Sequence, residues 1–319
     1  LHVRSRRQRQ MCIRDSMNGL QIIKTLALKI RYASIVEWYN FWSIVLQHHQ
    51  NIVPTVASID ETIRHITEGN RSISRFGDGE MLLTSPSKSI GFQEGSPLLA
   101  KRLREVLVSH EEGHLVAIPD VFSGLNRYRR KCRRFQRTHF FIYGKWWDQL
   151  LIPGRKYENA FLSRPYMDYT SKEHCARWFR ELKTIWEGRD IVFIEGAMSR
   201  LGVGNDLFDN AGSIRRILCP PRNAFERYDR ILNEALKVEK EVLFLIALGP
   251  TATVLAYDLH NAGYQAVDIG HIDVEYEWWR MKARRKVKLE KKYVNEAFGN
   301  KRVTDAGEGY RKEIIAQIS

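Results

Sequence analysis

Cysteine, acidic side chains and uninterrupted apolar runs are all scarce in this chain, and each scarcity excludes something. Four cysteines occur in 319 residues, Cys12, Cys132, Cys175 and Cys219, and no two form a CxxC pair. A zinc knuckle and a disulfide framework are therefore excluded, and a reducing compartment fits. No apolar window long enough to span a bilayer is free of charge, because Lys24, Lys29, Arg31 and Glu37 interrupt the most apolar segment. No internal repeat and no collagen-like triplet is present. Asp and Glu number 37 against 51 Lys and Arg, a net charge of +14, while 44% of residues are hydrophobic. That apolar content supports a core and excludes disorder, and the length allows one large domain or two smaller ones.

The surplus charge is unevenly spread, and its distribution matters more than its sum. Residues 1–16 hold five arginines and one acid, with no apolar period and no helix caps, and run directly into Met17. This stretch reads as a non-native leader, with Met17 as the true start. Without it the balance falls to 46 basic and 36 acidic residues, or +10. Residues 17–53 read as an amphipathic helical extension, since Leu20, Ile23, Leu26, Ala27 and Ile30 recur at helical spacing. It either packs on the body or a partner, or attaches peripherally to a membrane through Trp38, Tyr39, Phe41 and Trp42 with their basic flank.

Beyond Pro54 helix and strand signals alternate. Residues 60–68 read as a helix ending at Gly69, 72–76 as a strand, and Ser96-Pro97 as the capped start of another helix. Residues 115–118 follow as a strand; then come a basic stretch, 127–137, and an aromatic-rich segment to Trp147 without a clear period. Thr170-Ser171-Lys172-Glu173 has the form of a capping box opening a helix that runs to Gly188. Four apolar strands, 190–194, 214–219, 242–248 and 266–269, are separated by helices at 223–238 and 251–261. Strands apolar throughout and separated by amphipathic helices imply an α/β fold: a Rossmann-like, mostly parallel sheet with helices on both faces.

In such sheets ligands bind beyond the carboxyl ends of the strands, and four loops there carry polar groups. Arg75-Phe76-Gly77-Asp78-Gly79-Glu80 sets two carboxylates two residues apart between glycines, suited to one cation or hydroxyl, or simply a tight solvated turn. Residues 195–206 gather Ser199, Arg200, Asn205 and Asp206 among glycines, but lack the Walker lysine and match no dinucleotide fingerprint. Gly249-Pro250-Thr251 opens a helix whose free amides form an anion site, or which Thr251 merely caps. Residues 270–277 hold His271, Asp273, Glu275 and Glu277, with Asp273 and Glu275 alternating as a second carboxylate pair for metal binding or base catalysis, and His271 as a phosphate donor or structural partner.

Taken in order, RFGDGE at 75–80, SRPYMD at 163–168, the run from Glu195 through SRLGVGNDLF, ILCPPRNA at 217–224, LGPTA at 248–252 and GHIDVEYEW at 270–278 resemble the bacterial GT-D type glycosyltransferases. The resemblance covers residues 55–297. It divides the chain into the leader, the extension at 17–53, a GT-D type domain at 54–297 and a tail at 298–319. It implies transfer of a sugar, typically glucose, from a UDP-sugar to a glycan or glycoprotein acceptor, with a divalent cation such as Mn2+ or Mg2+. The family's Asp-x-Glu motif is matched by Asp78-Gly79-Glu80, and Asp273-Val274-Glu275 has the same form. The expected roles are Asp78 and Glu80 for the metal, Asp273 and Glu275 for the acceptor proton, and Arg75, Ser199, Arg200, Asn205, Asp206, Gly249, Thr251 and His271 for the donor.

The rival reading is a basic α/β module that binds nucleic acid or another anionic polymer through the stretches 127–137 and 280–292. Both are interleaved with apolar residues at near-helical spacing, so solvated helix faces are the favoured account, and no specific nucleic-acid partner is expected. The expected location is the cytoplasm, with the inner face of the membrane as a further option.

Overall fold

Runs such as Ile191–Ile194 and Leu243–Ile246 are apolar on both sides of the pleat, and only a strand covered on both faces can bury them. The computed structural model describes residues 31, 34–42, 52–292, 294 and 307–319, and in it both runs are wholly buried. They belong to a nine-stranded sheet in which every neighbouring pair is parallel. The strands are β1 (Thr55–Val56), β2 (Ser72–Arg75), β3 (His114–Ile118), β4 (Lys156–Asn159), β5 (Asp190–Gly196), β6 (Ser213–Cys219), β7 (Leu243–Ala247), β8 (Gln265–Asp268) and β9 (Ile314–Gln317). Their order is β1-β4-β3-β2-β8-β7-β5-β6-β9.

The helices are α1 (residues 34–42), α2 (Ile59–Glu68), α3 (Asp78–Leu83), α4 (Pro97–Val108), α5 (Arg130–Leu150), α6 (Cys175–Lys183), α7 (Tyr228–Ala235), α8 (Pro250–Asn261), α9 (Ile272–Arg280) and α10 (Glu308–Lys312). Val192, Ile194, Phe244 and Ile246 face α7 and α8 through Ile231, Leu255 and Leu259. Alternate residues point to the opposite face, where Phe193 meets Phe208 and Phe208 meets Trp186, with ring centroids 4.8 and 4.9 Å apart. The sheet is thus the Rossmann-like parallel one expected, with helices on both faces. The chain divides into two units, residues 1–50 with 130–145, and residues 51–129 with 146–319. The candidate site lies wholly in the second.

Local differences from the sequence reading have local reasons. The Thr170–Glu173 string does not cap a helix: α6 starts at Cys175 after His174 without a side-chain cap. Lys172 instead turns its ammonium to the carbonyls of Tyr166 and Tyr169, which holds the string in a loop. A complete capping box stands at Ser58 and Glu61, at the head of α2. The segment 223–238 is a 3-10 turn, Ala224–Arg227, followed by the short α7. The basic run 280–292 is not a helix beyond Arg280, whereas the run from 127 enters the long α5. Within the stretch set apart as a tail, β9 extends the sheet beside β6. The apolar positions from Leu20 to Ile30 lie outside the described residues.

Candidate functional site

Because every strand is parallel, the loops after β2, β3, β5, β7 and β8 emerge at one edge of the sheet, and the two Asp-x-Glu strings leave adjacent strands, β2 and β8. Between them runs Arg75. Its Nε donates to the Asp268 carbonyl at 2.7 Å, one Nη to the Asp268 carboxylate at 2.8 Å, and the other to Ser163 Oγ at 2.6 Å. The guanidinium is thus spent on joining β2, β8 and the turn after β4. Gly270 makes room for it: a Cβ there would lie 1.9 Å from the Arg75 Nη, at a backbone φ of +45°. Burial pushes the Asp268 carboxyl above the usual range, against the pull of Arg75.

Asp78 and Glu80 form the first turn of α3, where negative charge is favoured by the helix dipole. Asp78 is exposed and Glu80 half-buried. One Glu80 oxygen accepts from the Gly77 backbone N–H at 2.8 Å, and desolvation, aided by the nearby Asp268, pushes this acid up to about 7. Among the described residues no three His, Cys, Asp or Glu side chains gather as a metal cage.

Asp273 and Glu275, expected in a loop after a strand, stand in the first turn of α9, where both are buried. Asp273 Oδ1 accepts from Asn205 Nδ2 at 2.8 Å and from the Gly202 N–H at 3.2 Å, and its Oδ2 meets the ammonium of buried Lys292 at 2.5 Å. Asn205 also donates to Glu277 at 2.8 Å. Both Asp273 oxygens are therefore engaged, and they pin the 199–206 loop and the end of the basic run to α9. Glu275 is different. Its Oε2 accepts the backbone N–H groups of Tyr166 and Met167 at 3.0 and 2.7 Å, while its Oε1 has no hydrogen-bond partner. Burial, with Asp168 near by, pushes its acid up to about 7 despite the opposing charge of Arg164.

The β7 loop supplies another orphan. Gly249 sits at φ +55° with the Phe92 ring 2.6 Å from where its Cβ would be, so only glycine fits. Two residues on, Thr251 is fully buried and its hydroxyl has no partner, at the head of a twelve-residue helix. Ser199 and Arg200 are half-buried in the loop after β5, with Arg200 at φ +52° donating to the Lys291 carbonyl at 3.2 Å. His271 is half-buried immediately before α9.

Asp206 does not join the Asp273 network. It lines an open cleft of about 710 Å3 with Tyr166, Lys172, Lys282 and the α9 residues Tyr276, Trp279 and Arg280. Its carboxylate accepts from Tyr276 Oη at 3.0 Å and pairs with Lys183 at 3.2 Å. The sequence reading missed several contributors. Asp120, directly after β3, has its acid raised by burial and pairs with Arg127 at 3.0 Å; its place after a strand was the available signal. Lys292 carried no signal, since one lysine in a basic run looks like the others. Tyr276 and Trp279, which line the same cleft, follow the second Asp-x-Glu string and have no role in the sequence reading.

The family description "Glycosyltransferase GT-D fold" matches residues 73–297. Among curated proteins the chain is 41% identical over 268 residues to "Probable glycosyl transferase Gly" of Streptococcus gordonii, covering 83% of this chain and 39% of that protein. It is 40% identical over 265 residues to "Glycosyltransferase GlyD" of Streptococcus pneumoniae serotype 4, covering 82% of this chain and 32% of that protein. The chain thus spans 39% and 32% of these relatives' length. A solved structure described as "A New Glycosyltransferase (DUF1792) from Streptococcus sanguinis" superposes with a TM-score of 0.79 at 40% identity, covering 83% of this chain and all of that one. Another, described as showing that domain of unknown function 1792 "has a distinct glycosyltransferase fold", has the same TM-score and identity and covers 90% of this chain and 99% of its own.

Proposed function

The chain belongs to the GT-D glycosyltransferase family, and from that premise we propose that it moves a sugar, glucose by resemblance, from a UDP-sugar to a glycan or glycoprotein acceptor with the help of a divalent cation. The observation that carries the proposal is that two of the buried polar atoms without a hydrogen-bond partner, Thr251 Oγ1 after β7 and Glu275 Oε1 after the adjacent β8, lie at the carboxyl ends of neighbouring strands. A buried hydroxyl or carboxylate oxygen costs free energy unless it is bonded, so a substrate group is the natural partner for each.

Residue roles follow from what each side chain has left to offer. The α8 amides and the Thr251 hydroxyl suit a phosphate, since a helix N-terminus favours negative charge. Asp78 and Glu80 provide an all-oxygen donor set, which fits a hard cation such as Mn2+ or Mg2+ held by one or two carboxylates with substrate phosphates and water. Such a cation would neutralise charge on the departing diphosphate. Glu275, with one free oxygen and an acid near neutrality, takes the proton from the acceptor hydroxyl. Asp273 and Arg75 act as positioning residues, because their polar atoms already join the loops on which the other groups sit. Asp206, in the open cleft, contacts the nucleoside or sugar, and Asn205 fixes the loop that carries it.

Calorimetric titration with UDP, with and without Mn2+, followed by turnover of UDP-glucose, UDP-galactose and UDP-N-acetyl sugars, tests this reading. Metal-dependent UDP binding and turnover of at least one donor are expected. Absence of UDP binding in the presence of metal would overturn it.

A further inference from the structure

Apart from the candidate site, the unit formed by residues 1–50 and 130–145 carries a surface that sugar transfer leaves unexplained. Within it α1 lies against α5: Thr138 Oγ1 donates to the Val36 carbonyl at 3.4 Å, the Tyr39 and Phe141 rings stand 5.6 Å apart, and Arg134 pairs with Glu37. α1 leaves Ile35, Trp38 and Phe41 exposed, Trp38 by 61% and Phe41 by 57%. On α5, Phe135 and Ile142 are likewise more than a third exposed. Lys131, Phe135, Ile142 and Lys145 are all exposed and are spaced by four, seven and three residues, which places them on one stripe of the helix. Residues 130–145 contain Arg130, Lys131, Arg133, Arg134, Arg137 and Lys145 and no acid.

We propose that this two-helix unit docks on a lipid surface rich in anionic headgroups. Apolar side chains grouped on an exposed helical face mark an interaction site. The charge selects the occupant: the stretch 130–145 of α5 holds no acid and has lysines at both ends of its apolar stripe, which complements anionic headgroups, and lysine stems can lie along the apolar boundary while their ammonium groups stay in water. Tryptophan and phenylalanine are suited to the headgroup boundary, where an amphipathic helix lies in the plane of the surface. No described helix is long and apolar enough to cross a membrane, so the contact is a peripheral one.

Co-sedimentation of the full chain with vesicles of phosphatidylglycerol and phosphatidylcholine, against phosphatidylcholine alone, tests the proposal. The chain is expected to pellet with the anionic vesicles only, and less at high ionic strength. Joint replacement Trp38→Ala and Phe41→Ala should lower the partition coefficient about tenfold or more. Lys131→Gln with Lys145→Gln should lower it less and flatten its salt dependence. The wild-type comparison stands even where a variant misfolds, which circular dichroism would reveal. Wild-type chain remaining in the supernatant with anionic vesicles would overturn the proposal. So would a dimer, seen by analytical ultracentrifugation, that the Trp38 and Phe41 replacements abolish, since the face would then belong to a second copy. Neither outcome bears on UDP binding, which the other unit is proposed to perform.

Discussion

Asp78-Gly79-Glu80 and Asp273-Val274-Glu275 have the same form, follow adjacent parallel strands and open helices, yet their environments differ, most of all at the aspartates. The first pair is open to solvent at Asp78, while Glu80 caps its own helix start and has its acid raised by desolvation, as Glu275 does. The second is enclosed, with Asp273 satisfied by Asn205, Gly202 and Lys292, and Glu275 half satisfied by two backbone amides. A tripeptide therefore does not specify a role. Which oxygens remain free, and how much water surrounds them, separates the carboxylates proposed to hold a cation from the one that clamps the loops and the one proposed as a base.

Substitutions can break this comparison, beginning with the largest effect. Asp273→Asn takes the 2.5 Å carboxylate from the buried Lys292 ammonium and leaves it Glu277 at 3.6 Å, and should cost roughly 3 kcal/mol in urea unfolding. A loss below about 1 kcal/mol would mean that the clamp is not structural. Glu275→Gln should cut sugar-transfer turnover by about 100-fold or more while the chain stays folded. The same carboxyl also predicts a pH effect. Its acid is raised to about 7 in the folded chain, so the native state holds a proton that the unfolded chain releases near pH 4.5, and stability falls as pH rises between those values. That group contributes about 3 kcal/mol to the decline, and Glu275→Gln should flatten the slope of unfolding free energy against pH by a corresponding amount.

Gly270→Ala presses a methyl group onto the Arg75 guanidinium and strains a positive φ, at an expected cost of about 2 kcal/mol in thermal melting. Neutral behaviour there would show that Arg75 does not need its place between the two strings. Asp78→Ala should have the smallest effect on stability, within about 0.5 kcal/mol. It should nevertheless remove metal-dependent UDP binding in calorimetry. Intact binding in that variant would transfer the cation to another set of oxygens and erase the proposed contrast.

The middle strands were legible because their signal is local. Asp190–Gly196 and Leu243–Ala247 read as apolar runs between turn residues, and the fold keeps them as central, parallel strands. Tight glycine turns were legible for the same reason, as at Gly249. Short edge strands were not: Thr55–Val56 offers two residues and Ile314–Gln317 no fully buried one, and both pair at the open edges of the sheet. The Thr170–Glu173 string had a valid capping pattern, but Lys172 found the Tyr166 and Tyr169 carbonyls and the helix began later. Of the candidate site, the loops and most of the polar residues could be named in advance, while their separation into engaged and free groups could not.

Taken alone, the sequence determined an α/β fold with a parallel sheet, the carboxyl-end loops where chemistry belongs, and the family its strings resemble, because periodicity and short motifs are properties of neighbouring residues. Tertiary structure alone decided that Lys292 closes on Asp273, that Tyr166 and Met167 hold one oxygen of Glu275, and that Arg75 is spent between two strands. Those partners lie 19, more than 100 and 193 residues apart in the chain. The reason is physical: desolvation and the pairing of buried charge depend on what folding brings within a few ångströms, and no local pattern encodes that.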